Sequence, residues 1–106
     1  MDDLGSESMS VYMVIESKTK NSETYRCYIE QVSKSVAQHG GRYLVRGGKI
    51  TPLGDDWKPE RIIILEFPSE SHIRAWLSSP EYKTIAPLRE AGAETRAVLL
   101  EGYSAV

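Results

Sequence analysis

Residues 11 to 16 read Val-Tyr-Met-Val-Ile-Glu, branched and aromatic side chains that suit a pleated surface, and the polar cluster Ser17 to Ser22 follows. A first strand is predicted there. Behind Asn21, residues Tyr25, Tyr28, Ile29, Val32 and Val36 recur at three- and four-residue steps. They form the apolar stripe of a helix capped by Asn21 and stopped by Gly40-Gly41. Two-residue alternation then makes Arg42 to Arg46 a strand, with Arg42, Leu44 and Arg46 on one face and Tyr43 and Val45 on the other. Gly47-Gly48 is expected to bend or bulge it. A connection containing Pro52, Gly54, Asp55, Asp56 and Pro59 leads to Ile62–Phe67, a strand short enough in span to pair antiparallel with the one before it. Pro68 ends that strand, and Ser69 caps a second helix with Ile73, Trp76 and Leu77 inward. Ser79-Pro80 looks like a fresh cap with proline at the first helical position, so this helix is expected to break near Ser78. The renewed segment passes Tyr82, Ile85 and Leu88 toward Gly92, and Thr95–Tyr103 closes the chain as a strand around Val98-Leu99-Leu100.

The order β-α-β-β-α-β predicts an α+β, ferredoxin-like fold, a four-stranded antiparallel sheet with helices on one face. Ile62 to Leu65 and Val98 to Leu100 are apolar on both parities, which a sheet with one wet face does not need. The helix-free face is therefore expected to be covered by a second copy of the chain, giving a homodimer. Residues 1–9 show no apolar period and are expected to form a flexible tail before a single domain over 10–106.

Charge narrows the partners. Asp2, Asp3 and Glu7 account for much of the net charge of -2; without them 12 acids face 13 bases. A nearly neutral body lacks the positive surface that collects phosphates, so no nucleic-acid partner is expected. The longest apolar runs, Val11–Ile15 and Ile62–Leu65, are too short to cross a bilayer, so the protein is expected to be cytoplasmic with no membrane contact. Cys27 is the single cysteine, which excludes an internal disulfide, and its place in the helix suggests a small buried thiol. His39 and His72 have no partner at metal-ligand spacing, and neither glycine pair has a phosphate-loop spacing. No metal or cofactor is expected.

Arg42 and Arg46, about 13 Å apart on one strand face, offer two forks to a carboxylate or phosphate, or else pair with carboxylates across the sheet. Glu66 interrupts an apolar strand and must pair with an arginine or accept a raised pKa as a general base. Trp57 either pins its connection to the body or lids a pocket. Trp76 and Tyr82 lie on helical stripes with Tyr25 and Tyr28, positions that serve a core first and a pocket wall second.

Taken in order, Gly40-Gly-Arg-Tyr-Leu-Val-Arg-Gly-Gly48, Trp57-Lys-Pro, Glu66-Phe-Pro-Ser69, Ala75-Trp76, Ser79-Pro-Glu-Tyr82, Leu88-Arg89 and Glu101-Gly102 resemble the domain of unknown function 1330 family over Ser10 to about Tyr103. The resemblance implies a ferredoxin-like domain of the dimeric α/β-barrel group, in which two sheets meet face to face and enclose a pocket. It places Arg42, Arg46, Trp57, Glu66, Trp76, Ser79, Glu81, Tyr82 and Arg89 at signature positions. Asn21-Ser22 stands where an Asp-Pro often begins the first helix, and Leu77 where an aromatic is common. No reaction comes with the family. The expectation is a homodimer that binds a small anionic molecule between sheet and partner, with enzymatic activity left open. The alternative is a non-catalytic dimeric structural or interaction module.

Overall fold

Each helix begins where a short polar side chain replaces a missing backbone partner. The computed structural model, which describes residues 10–103, runs β1 (Val11–Thr19), α1 (Ser22–Gln38), β2 (Arg42–Arg46), β3 (Arg61–Phe67), α2 (Glu70–Ser78), α3 (Pro80–Gly92) and β4 (Ala93–Glu101). The tail expected over 1–9 lies outside the described residues. Asn21 Oδ1 accepts from the Thr24 amide at 3.0 Å, Ser69 Oγ from His72 at 3.2 Å and Ser79 Oγ from Tyr82 at 3.1 Å. Ser79 also closes α2, its own amide donating to Trp76 O at 3.1 Å. One serine therefore ends one helix and starts the next, with Pro80 opening α3. At the far end of α1, Gly40 takes a φ of +84°, and the Gly41 amide returns to Val36 O at 2.9 Å.

The strands pair antiparallel in the order β2-β3-β1-β4. Ile63, Leu65 and Phe67 of β3 form one core with Tyr25, Tyr28, Val32 and Val36 of α1, Ile73 and Trp76 of α2, and Tyr82 and Ile85 of α3. All three helices thus cover the same side of the sheet, and the fold is α+β and ferredoxin-like. Phe67 and Ile73 are fully buried, each contributing about 1.5–3 kcal/mol of transfer free energy. Ile62, Ile64 and Glu66 point to the helix-free side.

Three expectations need correction. The first concerns β2, where Arg42 pairs with Glu66 and Tyr43 with Leu65, but Val45 pairs with Ile64 and Arg46 with Ile63. Leu44 is an extra residue, a β-bulge, and beyond it the alternation inverts. Arg42 and Val45 consequently share the helix-free side, while Tyr43 and Arg46 face the helices. Gly47 is not the bulge; it has a φ of +71°, and a Cβ there would collide with the Arg61 guanidinium. Second, Leu77 and Cys27 are exposed rather than inward, because each falls one residue off its helix's apolar stripe. Third, Trp57 is 61% exposed within the β2–β3 connection, so it does not pin that connection to the core. Among the described residues no helix is long and apolar enough to cross a membrane.

Candidate functional site

The crevice between α1 and the sheet is built on two rows of residues in register. Thr95, Ser17 and Arg61 line up across β4, β1 and β3, and the next row runs Ala97, Ile15, Ile63 and Arg46 across all four strands. Tyr25, Tyr28 and Val32 of α1 roof these rows, one turn apart on the buried stripe. They leave a cavity of about 40 Å³, roughly the room of three waters.

Three arginines reach this cavity from three elements. Arg89, in the last turn of α3, extends down to Thr95 Oγ1 at 2.7 Å. The Arg61 guanidinium lies 5.9 Å from the centre of the Tyr25 ring. Arg46 stands exposed at the mouth, 4.4 Å over the Tyr43 ring, and donates from Nη2 to the Ile29 carbonyl at 2.7 Å. The Nε atoms of Arg61 and Arg89 are buried without a hydrogen-bond partner among the described residues. Among the described residues a carboxylate approaches this group only at Arg89, where exposed Glu90 stands 3.8 Å away.

The phenols beside these cations keep their protons. Burial pushes the Tyr28 hydroxyl well above its ordinary range, and Tyr82, whose hydroxyl is 3.2 Å away, adds to the effect. Burial likewise raises Tyr43, outweighing the opposite pull of Arg46 and Arg61. Ser17 Oγ donates to the Tyr25 hydroxyl at 2.7 Å. No carboxylate or histidine forms part of the crevice wall among the described residues. Chemically, the arrangement is a set of hydrogen-bond donors suited to an anion.

Of the residues singled out from sequence, Arg46 and Trp76 line this crevice. Trp76 is fixed by its Nε1 donating to Ser35 Oγ at 2.9 Å. Tyr82 stands behind it, its ring 4.8 Å from that of Trp76 and its hydroxyl against Tyr28. Arg42 and Glu66 lie on the opposite side of the sheet, where Arg42 Nε is 2.6 Å from Glu66 Oε1 and the Tyr12 hydroxyl donates to Oε2 at 3.3 Å. A Ser10 hydrogen bond first, and Arg42 second, hold the Glu66 carboxyl below its usual range, so of the two outcomes open to Glu66 it takes the pairing with an arginine rather than the raised pKa. Trp57 belongs to neither place, lying with Ile50, Pro52 and Ile62 beside the long connection. Arg61 escaped the sequence reading, and Arg89 entered it only as a signature position of the family resemblance. Counting back two from buried Ile63 reaches Arg61, so that one signal was available.

The helix-free side has its own pattern. Val45, Ile64, Val14 and Val98 form one apolar row across all four strands, with Leu100 beside it. Val98 is 56% and Leu100 50% exposed. The Arg42–Glu66 pair closes one end, and Arg96 Nε donating to Glu16 Oε1 at 2.9 Å closes the other.

A family profile described as "Domain of unknown function (DUF1330)" matches residues 10–103. None of the curated proteins matches the chain. Among solved structures, a protein of unknown function from Rhodopseudomonas palustris is similar with a TM-score of 0.75 at 18% identity, over 90% of this chain and 83% of that one. SnoaB, described as a cofactor-independent oxygenase from Streptomyces nogalater, gives 0.64 at 13% identity over 93% and 98% of the two chains. A protein from Mesorhizobium loti described as a DABB family protein with a ferredoxin-like fold gives 0.63 at 12% identity, over 92% and 98%. At such identities the likeness is one of fold.

Proposed function

The chain belongs to the DUF1330 family, and from that premise we propose that it is a homodimeric, cytoplasmic binder of a small anionic molecule. The ligand sits inside each subunit, in the arginine-lined crevice between helices and sheet, rather than between sheet and partner. The single observation that carries this reading is the convergence of Arg46, Arg61 and Arg89 on one cavity with two buried, unpartnered Nε atoms. A buried donor left without a partner costs about 1–3 kcal/mol, and an anion that completes the site offsets that cost. Pairing of sheets is supported by the exposed apolar row with an ion pair at either end, since an apolar centre with a charged rim is how stable interfaces are built. Arg42 and Glu66 then serve the register of the dimer, which is the part of the structural-module alternative that survives.

Catalysis enters only as a question for assay. Burial keeps the Tyr28 and Tyr43 hydroxyls protonated and no carboxylate or histidine lines the crevice among the described residues, so a reaction there would draw its nucleophile or base from the ligand. Oxygenation without a cofactor, which the description of the Streptomyces nogalater protein names, is one reaction of that kind. Native mass spectrometry of freshly purified protein tests both halves of the proposal. The expected result is a dimer mass with a co-purifying small acid, or a dimer whose melting temperature rises with added small acids. A monomer at micromolar concentration would sink the assembly, and a dimer indifferent to every acid would sink the anion site.

A further inference from the structure

Charge count and spacing together say what kind of anion suits the crevice. Arg46 and Arg61 have no carboxylate within ion-pair range among the described residues, and Arg89 has only exposed Glu90 at 3.8 Å. Burial holds the Tyr28 and Tyr43 hydroxyls protonated, so these two supply no compensating charge. One negative charge leaves this group of three largely uncompensated. Their side chains meet at one cavity, but they start from separate elements. Arg89 is anchored above β4 through Thr95, Arg61 rises from β3 and Arg46 from β2, and neighbouring strands are about 4.8 Å apart.

The two ends of this spread differ in depth. Arg61 and Arg89 each bury an unpartnered Nε that water does not reach, and once the guanidinium turns toward the cavity Nε with one Nη forms the side-on fork that takes a carboxylate in a bidentate manner. The 40 Å³ cavity has room for about three water-sized groups, the size of one carboxylate. Anything further must extend to the mouth, where Arg46 rests on Tyr43 and the Ile29 carbonyl, two neutral contacts that a second anionic group can replace.

Accepting the crevice as the anion site, we infer that its ligand is a compact dicarboxylate, with one carboxylate seated between Arg61 and Arg89 and the other against Arg46. Isothermal titration at fixed ionic strength with acetate, malonate and inorganic phosphate tests this on the wild-type protein and on Arg46→Gln, a change at an exposed position. Malonate is expected to bind about 10- to 100-fold more tightly than acetate, the worth of one added charge-assisted contact. Arg46→Gln should remove that advantage while leaving acetate within about twofold, and Arg61→Gln should weaken both acids. Equal affinities for acetate and malonate, or an Arg46→Gln protein that loses both alike, would reduce the crevice to a single-anion seat; the proposed function would stand and the dicarboxylate would fall. Phosphate binding more tightly than malonate would replace the dicarboxylate with a tetrahedral dianion. Failure of all three to bind the folded protein would overturn the anion site itself.

Discussion

On the helix-free side of the sheet, Arg42 meets Glu66 at 2.6 Å and Arg96 meets Glu16 at 2.9 Å, each in partly solvated surroundings. On the helix side, Arg46 and Arg61 meet tyrosine rings and a backbone carbonyl instead. The same residue type is thus neutralised locally on one side and left with its charge on the other. Paired charges around an apolar row suit a surface that must meet a copy of itself in one register. Unpaired ones beside a cavity suit a ligand that brings the missing charge.

The largest expected effect breaks the apolar side. Val98→Asp places a carboxylate in the middle of the row, on the edge strand β4, where the subunit itself tolerates it. If two sheets meet there, each copy buries an uncompensated charge at about 3–5 kcal/mol, and sedimentation equilibrium should show monomer where the wild type is dimeric. An unchanged dimer would move the subunit contact elsewhere.

Arg61→Met sharpens the contrast from the other side. Removing a half-buried guanidinium whose Nε has no partner, at nearly equal volume, is expected to stabilise the unliganded protein by about 1–2 kcal/mol in urea titrations while abolishing anion binding. A loss of stability would mean that Arg61 is structural. Arg42→Met removes a partner from an exposed pair and should cost at most about 1 kcal/mol, with anion binding unaffected by calorimetry. The smallest effect is in pH. The folded-state pKa of Glu66 is depressed, so its contribution is present above the unfolded carboxylate value and is lost as pH falls through the folded one. Glu66→Gln should accordingly flatten the decline of melting temperature below about pH 4, and an unaltered slope would show that the pair adds nothing to folding.

Much of this architecture was legible before any coordinates. Asn21, Ser69 and Ser79-Pro80 announce helix starts because their side chains satisfy amides a few residues away, a local matter. Gly40 announces a stop just as locally, through the left-handed backbone that glycine adopts without a Cβ penalty. What escaped was non-local. The bulge at Leu44 has no signature of its own; it exists because Tyr43 and Val45 pair with adjacent residues of β3, and its effect is to carry Arg46 to the face opposite Arg42. Arg89 reaches the crevice from a helix whose approach to α1 depends on Gly92, where a Cβ would stand 2.7 Å from the Tyr25 backbone. Spacing along one element cannot reveal such meetings.

The extra residue in β2 also means that pairing, not only residue identity, decides which compartment a side chain serves. Were Leu44 paired with Ile64, Val45 would turn toward the helices and Arg46, opposite Ile62, would reach the outer surface with every amino acid conserved. Loss of Leu44 altogether would instead leave Arg46 opposite Ile63, so a relative shorter by that one position would keep its arginine where this chain has it.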